Sequence, residues 1–265
     1  MGIASFDKNP HHPMKTNASL RIFKLSTLIL AMAVVSILPC LASTTFTDGT
    51  FNLANYTQTD FTSNTGAAGA TFSVTQSTTS GNAAPSLDFH IDWTVNTTFT
   101  VEVGLINSGF TYSPATGAIS TVDFSLDRNT TFTDSTVVLA NATATPLLEQ
   151  NGKFYLDQVT GPAFVAGTWQ TVSATGLTAG DFSLYDFTTN TLDSTMHPDF
   201  STAGGAINFG LRTGLGHLNT LGTGSFDSLS DNLSFTVTSV PETGSTFYLL
   251  IGSIALFGAI RLRHV

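Results

Sequence analysis

Apolar residues in the middle of this chain recur at every second position, in short runs broken by Gly, Asn, Ser and Pro. Leu87, Phe89, Ile91 and Trp93 alternate with Asp88, His90 and Asp92. That spacing puts one face of an extended strand in a core and the other in water. Phe99, Val101, Val103 and Leu105 repeat it, as do Val122, Phe124 and Leu126. Further runs are Phe182, Leu184 and Tyr185, then Ile207, Phe209 and Leu211, then Leu233, Phe235 and Val237. No stretch between residues 44 and 239 sustains a helical period, and the many Thr and Phe residues suit a pleated sheet. Asn151-Gly152, between Pro146-Leu147-Leu148 and Phe154-Tyr155-Leu156, predicts a two-residue hairpin turn. Ten to twelve short strands, each with one polar face, imply an all-β chain folded as a two-sheet antiparallel jelly-roll sandwich. A β-helix is the alternative architecture, but the chain has no internal repeat of fixed period. The stretches 64–70 and 213–225 read as loops too short to separate a second domain from the first, so residues 44–239 are predicted to form one.

Charge narrows the partners. Between Thr44 and Val240 three basic residues, Arg128, Lys153 and Arg212, oppose sixteen Asp and Glu, a formal charge of −13. Such a surface repels phosphates and anionic headgroups, which argues against nucleic-acid binding. The single cysteine, Cys40, falls in the predicted leader. The predicted domain therefore has neither a disulfide framework nor a thiolate metal site.

The two ends of the chain read as targeting segments. Lys15, Arg21 and Lys24 precede an apolar run from Leu25 to Leu38, and Cys40-Leu41-Ala42 offers a cleavage site before Ser43. Residues 1–43 are thus a predicted signal peptide, with Met14 as an alternative start. At the other end, residues 240–265 carry Val240-Pro241-Glu242-Thr243-Gly244, an apolar helix-length run from Phe247 to Ile260, and the basic Arg261-Leu262-Arg263. A helix there, extended by a turn, approaches the ~30 Å of a hydrocarbon core. The two arginines act as a cytoplasmic stop by the positive-inside rule, leaving the domain outside.

The order of motif, apolar helix and arginines resembles the PEP-CTERM family of sorting signals. That resemblance implies processing by an exosortase, a membrane cysteine protease. Thr243 stands where the family most often has Pro, and Val240-Pro241-Glu242-Thr243-Gly244 is also similar to a Leu-Pro-x-Thr-Gly sortase signal. Sortase is therefore the alternative partner, and an uncleaved membrane anchor is the competing reading ranked below sorting. The body is similar to domains found ahead of such tails, in segments such as Gly167-Thr168-Trp169-Gln170, Gly176-Leu177-Thr178-Ala179-Gly180-Asp181-Phe182 and Asp231-Asn232-Leu233-Ser234-Phe235. Those domains are jelly-roll sandwiches resembling carbohydrate-binding modules, generally without an assigned activity.

The chemistry-bearing residues are sparse. His90, His197 and His217 lie far apart, outside any metal-binding helix motif or nucleophile elbow, and no cofactor motif is present. The sixteen acids sit mostly as strand-face or turn residues, so no catalytic residue is assigned and a hydrolase ranks third among the readings. A structural Ca²⁺ held by Asp48 and Asp231 is implied by the resemblance to carbohydrate-binding modules. The competing reading makes both turn aspartates, since Asp-Gly and Asp-Asn are turn dipeptides. For sugar stacking, Trp169 is the candidate platform, Tyr155 fits either a platform or the core, and Trp93 belongs to the core. The expected role is an exported, surface or matrix protein, structural or adhesive, in contact with exopolysaccharide; the alternative is a module that recognises one glycan.

Overall fold

The computed structural model describes residues 41–64, 70–83, 85–94, 98–133, 142–157, 165–217 and 223–240. The predicted signal segment up to residue 40, and Pro241, Glu242, Thr243, Gly244, the apolar run, Arg261 and Arg263, lie outside them. No helix among the described residues is long and apolar enough to cross a membrane.

Thirteen strands appear among the described residues. They are β1 (Ala42–Asp48), β2 (Tyr56–Asn64), β3 (Ala70–Ser77), β4 (Ser86–Trp93), β5 (Phe99–Tyr112), β6 (Ala118–Phe132) and β7 (Ala142–Gln150). Then come β8 (Lys153–Leu156), β9 (Gln170–Leu177), β10 (Ser183–Asp186), β11 (Thr191–Asp193), β12 (Ile207–His217) and β13 (Gly224–Val240). They form two antiparallel sheets. The first has the order β3-β4-β13-β6-β9, with β1 also on β13; the second runs β11-β10-β8-β7-β12-β5-β2.

β13 organises the first sheet. β6 follows it along one side, while on the other β4 pairs with Gly224–Ser230 and β1 with Leu233–Ser239. The change of neighbour falls at Asp231 and Asn232, where the register against β6 shifts and Asn232 takes a φ of 51°. Asn tolerates that left-handed conformation better than most side chains, so the break has a local chemical cause.

The apolar alternation of the sequence becomes the layer between the sheets. Leu87, Phe89, Ile91 and Trp93 of β4 meet Val101, Val103 and Leu105 of β5 and Phe209 and Leu211 of β12 in one buried cluster. Phe235 of the first sheet lies 5.1 Å from Phe209 of the second, and Phe46 on β1 stacks on Phe209 at 5.7 Å. Each fully buried Phe contributes about 1.5–3 kcal/mol by transfer alone. A cysteine-free sandwich can be held by that layer together with its ladders.

The all-β sandwich of two antiparallel sheets is therefore as expected, and Asn151-Gly152 joins β7 to β8 with φ of 55° and 73°, both positive as a type I′ turn needs. Two expectations need correcting. Residues 213–225 are not one loop, because β12 continues to His217 and β13 begins at Gly224. The Gly and Thr there read as loop residues, but Gly214 is bare because the Glu102 carboxylate occupies the place where a Cβ would stand. The second correction concerns β5, which was expected to bury only one face. Glu102 and Ile106, on its other face, are also buried, at 4% and 6% exposure.

Candidate functional site

A cleft opens at the side of the sandwich where β1 ends and β5 bulges. Against β12, Ile106 pairs with Gly210 and Thr111 with Asn208, so Asn107–Phe110 are looped out of the ladder. The Asn107 Oδ1 accepts the Gly109 N–H at 2.9 Å and fixes that loop. Opposite it, Asp48 closes the turn after β1. Its Oδ1 accepts the N–H groups of Thr50 at 2.7 Å and Phe51 at 2.9 Å, and the Thr50 hydroxyl at 2.9 Å. Its Oδ2 accepts the Tyr56 phenol at 2.8 Å and is reached by Asn107 Nδ2 at 3.4 Å.

These bonds hold Phe51 at a φ of 48° with its side chain wholly buried and its ring stacked 5.8 Å from Tyr56. A bulky residue rarely accepts that backbone conformation, and such strain persists only where the surroundings over-determine it. Here the Asp48 carboxylate and the aromatic stack do so.

The resulting cavity is about 430 Å³, lined by Thr47, Asp48, Thr50, Asn55, Asn107, Ser108, Gly109 and Phe110. That volume lies in the range of small-molecule sites. Burial works against the charge on Asp48, but the backbone N–H groups of Thr50 and Phe51, with Tyr56 and the Thr50 hydroxyl, outweigh it and hold its pKa below the usual carboxylate value. Burial, followed by the Asp48 charge, pushes the Tyr56 phenol well above its ordinary value. Asp48 is thus a fixed anion and hydrogen-bond acceptor, not a proton donor. The lining is made of amides and hydroxyls around one carboxylate, whose two oxygens already take five donors from its own turn, Tyr56 and Asn107.

Asp231 stands beside the Asp48 turn, its Oδ1 3.9 Å from where a Cβ of Gly49 would be, while the remaining sequence-derived residues are dispersed. Asp231 is fully buried at the β13 break, its Oδ2 accepting the Ala83 N–H at 3.0 Å and its Oδ1 the Asn232 N–H at 2.7 Å. Both aspartates of the calcium reading thus spend oxygens on backbone donors, as turn builders do. Among the described residues no three His, Cys, Asp or Glu side chains are placed to hold a metal ion. Trp169, half-buried just before β9, is not among the lining residues. Tyr155 is 6% exposed and belongs to the core cluster, and Trp93 lies in the same layer as expected. Val240, first residue of the predicted sorting motif, is the last of β13. Neither His90 nor His197 lines the cleft: His90 lies on the outer face of the first sheet, and His197 Nδ1 meets the Phe182 carbonyl at 2.7 Å.

Sequence reasoning missed Asn107, Ser108 and Asn55. The one available signal was the Asn-Ser-Gly at 107–109 interrupting the apolar run of β5, a bulge-forming composition.

No family model matches the chain, and no curated protein matches it in sequence. Among solved structures, the chain is similar to a family 11 carbohydrate-binding module of the cellulosomal cellulase Lic26A-Cel5E of Clostridium thermocellum. The identity is 12%, the match covers 74% of this chain and 95% of that one, and the TM-score is 0.37. It is also similar to the N-terminal region of a Clostridium thermocellum xylanase 10B, with CBM22-1 and GH10 modules, complexed with xylohexaose. There the identity is 12%, the coverage 66% of this chain and 26% of that one, and the TM-score 0.27. A third is TmCBM61 in complex with β-1,4-galactotriose, at 8% identity, 71% and 90% coverage and a TM-score of 0.23. A likeness at this level assigns the chain neither to a family nor to a ligand.

Proposed function

We propose that this chain is an exported, non-enzymatic β-sandwich protein that binds a saccharide in the cleft between Asp48 and Asn107. The observation that carries the reading is the cleft itself: about 430 Å³, lined chiefly by hydroxyls, amides and one carboxylate held ionised. A jelly-roll connectivity of the sandwich is included in the same reading. Titrating the full chain against a soluble glycan panel tests it. Binding lost in Asp48→Ala and weakened at least tenfold in Asn107→Ala supports the cleft. Binding that survives both but fails in Trp169→Ala moves the site to the tryptophan before β9. Turnover of a polysaccharide, lost on one Asp→Asn change, replaces the reading with a hydrolase.

A second reading, that of a structural or adhesive component retained against exopolysaccharide, rests on the −13 charge and on the two ends predicted to be targeting segments. Normal surface retention with no binding on any glycan would support it alone. In both readings an exosortase-like membrane protease, or a sortase, removes the tail, and the domain resides at the cell surface or in the matrix. Mass spectrometry of the mature C-terminus tests this. Loss of Phe247 to Val265, blocked by Pro241→Ala, supports exosortase-type processing; a cut between Thr243 and Gly244 supports sortase; retention of Arg261 and Arg263 identifies a plain anchor.

A further inference from the structure

The outer face of the second sheet, the side turned away from the core, is closed by the sheet's own edge. β10 lies three strands from β12, about 14 Å away in a flat sheet at ~4.8 Å per strand. Yet the Tyr185 ring of β10 sits over the Arg212 guanidinium of β12, 5.1 Å from its centroid. Phe187, just after β10, reaches still further: its Cζ lies 2.5 Å from where a Cβ of Gly104 would stand on β5. A phenylalanine side chain cannot span four strands. The arm made of β8, β10 and β11 must therefore curl back over β7, β12 and β5.

Beneath that arm is a polar floor. Arg212 Nη2 pairs with Glu102 Oε1 at 2.9 Å, both side chains at most one-tenth exposed, and the Thr143 hydroxyl donates to Glu102 Oε2 at 3.3 Å. Arg212 stands in register between Gly104 on β5 and Thr145 on β7. Its Nε and the Thr145 Oγ1 are both buried without a hydrogen-bond partner. These two atoms, on residues paired in register, are a donor and a group able to donate or accept, the kind a hydroxyl satisfies. The walls are aromatic: Phe187 meets Tyr185 at 4.7 Å and Phe154 at 5.3 Å, both edge-on, and Phe61 packs at the margin.

We propose that this floor is a second saccharide site, and that the Phe187 ring, just after β10, is its plug, occupying the seat of a sugar ring. Glu102 and Arg212 neutralise each other and offer both acceptor and donor, which selects a neutral saccharide over a uronate. Arg212 Nε and Thr145 supply the hydroxyl partners, and the aromatic walls supply faces for the sugar's C–H groups. The plug sits on a short edge. β10 is held to β8 by three residue pairs, and β11 pairs only with β10 and is fully exposed along its length. The site is distinct from the Asp48 cleft and does not depend on it.

The test uses the full chain with xylohexaose, β-1,4-galactotriose and a mixed-linkage β-glucan tetrasaccharide, and a uronate oligomer as charge control. Phe187→Ala is expected to bind at least one neutral probe tenfold or more tightly than the wild type. Adding Arg212→Met, made together with Glu102→Gln so that no buried carboxylate is stranded, is expected to remove that gain, whereas adding Asp48→Ala leaves it. A folded Phe187→Ala with no gain for any neutral probe, a gain that survives Arg212→Met with Glu102→Gln, or one that only Asp48→Ala removes overturns the proposal. A gain for the uronate alone does so too. Should Phe187→Ala not fold, hydrogen exchange of the wild type decides. Faster amide exchange at Leu184 and Tyr185 with a saturating neutral probe supports displacement of the plug, and unchanged exchange there overturns it.

Discussion

The two outer faces of this sandwich are built on opposite plans. That of the first sheet is open and polar, with His90 between Asp227 at 2.6 Å on Nδ1 and Asp92 at 3.0 Å on Nε2. That of the second is folded shut over a buried ion pair. Carboxylates only accept, so both His90 nitrogens must carry protons for both contacts to be favourable. The open face thus holds its charges where water shares the work. The closed face places a similar pairing where one lost partner leaves a charge stranded. Similar residues carry very different stakes on the two faces, and the difference is burial alone.

Three substitutions would break that contrast, in falling order of effect. Arg212→Met on the closed face leaves Glu102 buried and unpaired, and should lower the unfolding free energy by about 3–5 kcal/mol. Glu102→Gln with Arg212→Met should recover much of it. A chemical denaturation series on the full chain reads both, and a loss below about 1 kcal/mol would show that water already reaches the pair. Gly104→Ala sharpens the geometry: the new Cβ would stand 2.5 Å from Phe187 Cζ and 2.9 Å from Leu147 Cδ2. Overpacking of that kind costs roughly 1–3 kcal/mol, and the loss should shrink in Phe187→Ala if the ring is the obstacle. On the open face, His90→Gln should cost about 1 kcal/mol or less, because each partner keeps at least a third of its side chain in water.

The small effect has a pH signature. Burial disfavours the His90 charge, but the bonds and charges of Asp227 and Asp92 outweigh it and raise its pKa. The clamp is then fully present below the unfolded histidine value, near ~6.5, and is lost as pH rises through the folded one. Thermal scans should show wild type and His90→Gln converging above neutral pH and diverging below it. Asp48 and Asp127 work in the other direction, since both are held below the usual carboxylate range. Their contribution is present above the unfolded pKa and fades as pH falls through the folded one, so Asp48→Asn should flatten the acid limb.

Much of the open side was legible in the sequence. At 87–93 polar and apolar residues alternate strictly, and only one face can be the core. The closed side was not, for the same reason inverted. In Phe154-Tyr155-Leu156 both parities are apolar, so no pattern tells which one faces inward. Register decides it: Tyr155 pairs with the inward Leu148, and Leu156 with the outward Leu147. Glu102 and Arg212 lie more than a hundred residues apart and meet only through the β5–β12 ladder. The Asp48 cleft was half visible, as a turn aspartate, while its other wall depended on a bulge whose depth only the pairing reveals.

The pairing of β1 with β13 sets Ala42 beside Ser239 and carries the chain about 20 Å from there to Asp48, six steps of ~3.3 Å. This arrangement gives the domain a mechanical direction. Drawn apart by Ala42 and Val240, β1 would unzip from β13 one pair at a time, with little resistance. Held at Val240 and pulled through something gripped at Asp48, the same two strands are loaded lengthwise in shear, against seven residue pairs at once, with β6 backing β13 along the far side. A domain moored by its tail would thus be weak against its own termini and strong against whatever it holds.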